Sequence, residues 1–173
     1  RIRDPRVGME TGEVAAPVSR AQLDIWLAQE TGQSDTEWQL GLFVEIDGTL
    51  DRRALKWSVR RVVEESEPLR VSFFEDDGRV YQRLADDAPA ELTVIDLRKS
   101  ADPAGEAMRR ALDIQRTPMP LDGRLYTFTL FRAGPTKNYL FVCAHHIIVD
   151  GIGMVLVCQR IAAIYSAAVA GAP

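Results

Sequence analysis

The stretch Phe141-Val-Cys-Ala-His145-His146-Ile-Ile-Val-Asp150-Gly151 decides how this chain is read. An apolar run closes on the only two histidines in 173 residues, and an aspartate and a glycine follow shortly after. An imidazole left unpaired in an apolar strand costs free energy, so the pair is placed for hydrogen bonding or chemistry rather than for filling space. If the run is a strand, its side chains alternate between faces. Val142, Ala144 and His146 then share one face, and Phe141, Cys143 and His145 share the other. The two histidines are therefore expected to do different jobs, one meeting a cavity and substrate, the other turned inward to hold the loop. Asp150 can return a carboxylate to the loop or to a nearby arginine. Gly151 permits a sharp turn into a following helix, whose N-terminus would add backbone N–H groups and a favourable dipole.

Several readings of this cluster stay open on the residues alone. Both histidines could be satisfied core residues at a strand end. His145, His146, Asp150 and Cys143 could form a metal site, but zinc wants three or four converging ligands, alternation sends Cys143 and His145 away from His146, and the chain has no further histidine. A Ser or Cys nucleophile could be activated by histidine, but Cys143 faces away and no G-x-S-x-G elbow is present. Acid–base or electrostatic work by His146 is the favoured reading, with no metal.

Outward from the cluster, the pattern alternates between strand and helix. Pro17 to Gln29 reads as a helix with Ser19 as N-cap and an apolar face of Ala21, Ile25, Trp26 and Leu27. Trp38 to Ile46 reads as a strand with Leu40, Leu42, Val44 and Ile46 on one side, closed by the Asp47-Gly48 turn. A helix over Asp51 to Ser66 carries Leu55, Val59, Val62 and Val63 at helical spacing, and Pro68 ends it. Leu69 to Glu75 and Arg79 to Leu84 form a hairpin around Asp77-Gly78. Leu92 to Asp96 is a short strand, Pro103 to Gln115 a helix with proline in its first turn. Leu125 to Phe131 and Tyr139 to Ala144 are strands joined through Gly134-Pro135. A last helix follows Asp150-Gly151. Interspersed helices and strands with two hairpins define an α+β sandwich.

The length suits one domain with a real core. A net charge of −4 gives no reason to expect nucleic acid or an anionic membrane as partner. Cys143 and Cys158 lie in apolar elements with no secretory segment before them, so a reducing, cytoplasmic setting is expected. The apolar stretch from Gly151 to Ala172 has Gln159 and Arg160 at its centre, so it is expected to be a buried helix and not a membrane span. Residues 1–16 read as an N-terminal extension, partly disordered, in which Met9 is a candidate start.

The motif H-H-x-x-x-D-G resembles the signature of the nonribosomal peptide synthetase condensation domains and their chloramphenicol-acetyltransferase-like relatives. Val18-Ser-Arg-Ala-Gln-Leu-Asp-Ile-Trp-Leu27 resembles the family's opening S-x-A-Q-x-x-x-W motif. Glu67-Pro-Leu-Arg-Val-Ser-Phe73 is similar to R-H-E-x-L-R-x-x-F, with Leu69, Arg70 and Phe73 as the firm matches. Pro118-Met-Pro-Leu-Asp-Gly-Arg-Leu125 resembles the proline-containing stretch before the active-site hairpin. Order and spacing agree along nearly the whole chain.

The resemblance implies two chloramphenicol-acetyltransferase-like α/β-sandwich lobes facing each other, of which residues 17–173 are the N-terminal one and the C-terminal lobe is absent. It implies an acyltransferase that joins a donor acyl or peptidyl thioester to an aminoacyl acceptor. Both are carried on the phosphopantetheine of carrier proteins, with no cofactor bound directly. Met9 so close to the first motif points to a starter-type domain with a fatty acyl donor. Partners would be carrier domains, the C-terminal lobe and a downstream adenylation domain, and the isolated lobe would be inactive and self-associate. By motif match His146 is catalytic. His145, Asp150, Gly151 and Arg70 support the site, with Arg70 as candidate ion-pair partner of Asp150 and Gly151 giving close backbone approach. Gly153 stands where the family often carries Ser. A stand-alone O-acyltransferase and a noncatalytic carrier-binding module are the alternatives.

Overall fold

The computed structural model describes residues 15–32, 37–84 and 90–171. Four helices, α1 (Arg20–Glu30), α2 (Arg52–Glu65), α3 (Pro103–Gln115) and α4 (Gly151–Val169), each begin at a side chain that satisfies a free backbone N–H. Ser19 and Gln22 exchange bonds in a capping box, which sets the start of α1 at Arg20, past the expected Pro17. Asp51, Asp102 and Asp150 accept from the first turns of the other three.

The strands are β1 (Ala15–Pro17), β2 (Gln39–Asp47), β3 (Val71–Asp76), β4 (Arg79–Leu84), β5 (Leu92–Asp96), β6 (Tyr126–Arg132) and β7 (Lys137–His145). They form a main sheet in the order β2-β7-β6-β5 and a small sheet β1-β4-β3. The β5–β6 pair is parallel and is bridged by α3, as a parallel pair requires. The other pairs are antiparallel. At the β3–β4 hairpin, Asp77 and Gly78 take φ of 49° and 71°, the left-handed pair that a two-residue loop needs to match strand twist.

Three expectations are corrected. Ala15 and Ala16 belong to the fold and not to an extension, because β1 pairs with β4; Met9 lies outside the described residues. Leu69 and Arg70 are not yet strand: Pro68 starts a short 3-10 turn over Glu67–Arg70 that tucks Leu69 into the core. Only Trp26 of the expected α1 face is buried, while Leu27 is exposed.

Directly paired residues share a sheet face. Gln39, Gly41 and Phe43 of β2 therefore lie with His145, Cys143 and Phe141 of β7. That face meets α3: the side-chain amides of Gln39 and Gln115 bond each other's backbone carbonyls at 2.5 and 3.0 Å. A Cβ at Gly41 would stand 2.6 Å from Gln115 Oε1 and 2.9 Å from the Phe141 ring, so only glycine admits the end of α3 here. α4 packs on β2 and β7 and against α2. Met154, Val157, Ile161 and Ile164 form its buried stripe. The rest of α4 is open, with Ile152 74% exposed, so it is not the wholly buried helix its composition suggests. It is long and apolar enough to cross a membrane by length and composition; the buried stripe shows how it is used in this fold.

Candidate active site

β7 ends at His145, and the chain leaves the sheet at His146 through a short turn to Asp150. His145 is 0% exposed and both of its ring nitrogens are engaged. Its Nδ1 accepts the Ile147 N–H at 3.1 Å, so Nε2 carries the proton and donates to Gln29 Oε1 at 2.8 Å on α1. Burial, and secondarily the proximity of His146, pushes its pKa down to about 4. This imidazole is held neutral and joins α1 to the turn that follows β7.

His146 takes the other job. Its backbone N–H donates to the Trp38 carbonyl at 2.6 Å, and the residue lines an open cleft of about 780 Å³. One wall comes from the end of α2 and the 3-10 turn (Val62, Glu65, Leu69), the other from α4 (Leu156, Val157, Arg160). Arg160 clamps Glu65 across these walls at 2.8 Å and, helped by Arg61, holds its carboxyl below the ordinary range. The cleft thus has mostly apolar walls, an ion pair between them and one histidine in its lining, a setting for proton transfer to an apolar-bodied substrate.

Asp150 and Gly151 stand at the start of α4, and of the two partners open to Asp150 the structure shows the local backbone rather than an arginine. The Asp150 carboxylate accepts from Gly153 N–H at 2.7 Å and caps α4, fixing the helix against the histidine turn. It forms no ion pair with Arg70 among the described contacts: Arg70 lines a separate cavity with Ser72, Arg83, Arg124 and Tyr126, and its Nε is buried without a partner. Gly151 is the first residue of α4, without positive φ, and a Cβ there would meet nothing within 4 Å. Close backbone approach falls at Gly153 instead, where a Cβ would stand 2.5 Å from Val149 Cγ2.

The competing chemistries fare poorly against this geometry. Cys143 is fully buried on the face opposite His146, and burial pushes its thiol up to about 11, far from a reactive thiolate. Among the described residues no three His, Cys, Asp or Glu side chains converge to hold a metal. Trp38 is the site residue that sequence reading missed. Its ring stands against His146, yet its place at the head of β2 gave only a strand signal.

Comparison with known proteins agrees with this fold. The condensation-domain family model matches residues 13–173. The chain is 32% identical to enterobactin synthase component F of Shigella flexneri over 91% of its own length and 12% of that protein. Its structure is similar to the starter condensation domain of rhizomide synthetase RzmA, with a TM-score of 0.87 and 29% identity over 92% of this chain and 39% of that one. It is also similar to the first condensation domain of the calcium-dependent antibiotic synthetase, solved with a substrate analogue, with a TM-score of 0.86 and 34% identity over 92% and 39%. The chain belongs to the condensation-domain family of the nonribosomal peptide synthetases, with their chloramphenicol-acetyltransferase-like α+β fold. It spans about two fifths of the solved condensation domains and a small fraction of the synthetases it matches.

Proposed function

We propose that the chain from Ala15 onward acts as the N-terminal lobe of a two-lobed condensation domain that forms an amide between two carrier-tethered thioesters. The observation that carries this reading is the division of labour between the histidines, with His145 consumed by Gln29 and Ile147 and His146 facing the cleft. The acceptor amine attacks the donor carbonyl, the C–N bond forms and the C–S bond breaks. The proton lost by the amine ends on the departing thiolate, and His146 carries it, orients the amine, or both. His145 and Asp150 hold His146 in place through α1 and α4. The likeness to a starter domain supports a fatty acyl donor. Carrier and adenylation domains are the proposed partners, phosphopantetheine brings the substrates, and two free cysteines fit a cytoplasmic setting. Ile152, Val155 and Leu156, exposed beside the cleft, are the apolar surface through which the chain on its own would self-associate; sedimentation as a monomer at high concentration would count against that.

The test is single-turnover amide formation by the complete domain with loaded carriers, wild type against His146→Ala. A loss of roughly 10²-fold or more with folding intact supports the proposal. Acylation of an alcohol but of no amine would move the reading to an O-acyltransferase, and neither activity would leave a binding module.

A further inference from the structure

Helix α2 turns Leu55, Val59, Val62 and Val63 to the core and presents Trp57 outward, 49% exposed. Arg53, Arg60 and Arg61 stand one turn from the indole, at i−4, i+3 and i+4, and all are exposed. Beside them Arg52, Lys56 and Arg60 form a row at i, i+4 and i+8. The acids of this helix are already committed: Glu64 pairs with Arg61, and Glu65 with Arg61 and Arg160. Among the described residues, the side chains of Arg52, Arg53, Lys56 and Arg60 have no ion pair or hydrogen bond.

This arrangement works against the helix that carries it. Like charges four residues apart repel. Arg52 and Arg53 also occupy the first turn, where the helix dipole favours acids and α2 has none. The row is not the spillover of a basic chain, whose net charge is −4. An exposed indole among guanidiniums has the composition of a protein-binding hot spot, and the unpaired row complements a surface rich in carboxylates. The same helix leads to the His146 cleft: Glu65, about 12 Å further along its axis than Trp57, lines that cleft. We infer that the outer face of α2 docks an acidic face of a carrier domain, with Trp57 as apolar anchor and Arg52, Arg53, Lys56 and Arg60 as charge complement, an assignment that rests on the proposed amide-forming function, which needs a carrier held near the cleft. Trp57 is the one large apolar residue exposed on α2, too little for insertion into a membrane.

Calorimetric titration of the complete domain with each holo carrier domain of its synthetase, at low and high salt, tests this. Saturable binding of a carrier that weakens as salt rises is expected, and Trp57→Ala and Lys56→Glu should each weaken it about tenfold or more. Lys56→Glu sets a carboxylate between Arg52 and Arg60, so its melting temperature should rise even as carrier affinity falls. Amide formation from the same thioesters on free pantetheine should be unchanged in both variants. No saturable carrier binding, or binding unchanged in both variants, overturns the proposal. So does a lower melting temperature of Lys56→Glu, since the lysine would then be held within this chain. Loss of self-association in place of carrier binding overturns it too, because the occupant would be a second copy. Carrier binding that both variants weaken, with no amide from any thioester, upholds the docking face and removes the amide-forming function instead.

Discussion

The imidazole of His146 meets the indole of Trp38 in a T-shaped contact, with ring centroids 6.4 Å apart and planes at 76°, while its own N–H donates to the Trp38 carbonyl. One residue at the head of β2 thus fixes both the backbone and the ring of His146. Such an aromatic pair is worth about 0.5–1.5 kcal/mol beyond area burial. Trp38→Ala is expected to lower the amide-forming rate of the complete domain roughly tenfold while leaving carrier KM little changed. Trp38→Phe, which keeps a ring against the imidazole, should restore most of it. Equal rates for all three proteins would show that the contact does not position His146.

Stability should depend on pH through His145. Its folded pKa, about 4, lies below the ordinary 6.5, so between these values the unfolded chain binds a proton that the folded one does not. Stability is therefore full above pH 6.5 and falls as pH drops toward 4, by on the order of 3 kcal/mol from this group. Urea unfolding at pH 7 and pH 5 would read the change. His145→Gln should be less stable at pH 7 and show a flatter pH dependence; an undiminished slope in that variant would place the titrating group elsewhere.

Val149 explains why position 153 is a glycine. A Cβ at 153 would lie 2.5 Å from the stiff Val149 Cγ2. Gly153→Ser is expected to destabilise the fold by about 1–3 kcal/mol. Val149→Ala should relieve much of that loss, giving a favourable coupling in a double-mutant cycle of thermal unfolding. Additive losses would show that the clash is absorbed by the backbone.

Both thiols should be silent in the folded chain. Burial pushes Cys143 and Cys158 up to about 11, and Cys143 has no exposed surface. At pH 8 roughly one thiol in a thousand would be thiolate. Ellman's reagent should therefore react slowly with native protein and release two equivalents in denaturant. Rapid labelling of Cys143 in the native state would reopen a role for it in chemistry.

Local pattern was enough for most elements. The bounds of β5 and α3, the Asp77-Gly78 hairpin and the cap at Ser19 follow from propensity, proline geometry and capping chemistry, which act over a few residues. The opposite facing of His145 and His146 was also legible, because strand alternation is a local rule.

What each histidine touches was not legible. Gln29 reaches His145 across 116 residues of sequence, and Trp38 meets His146 only because β2 pairs with β7. The absence of an ion pair between Arg70 and Asp150, the close contact at Gly153 rather than Gly151, and the open outer face of α4 depend on how elements pack. The sequence by itself determined the elements, the motif and the kind of chemistry, since these rest on short-range backbone preferences. Only the tertiary structure decided which partner satisfies each polar group, because hydrogen bonds and steric contacts between distant segments leave no periodicity in the chain.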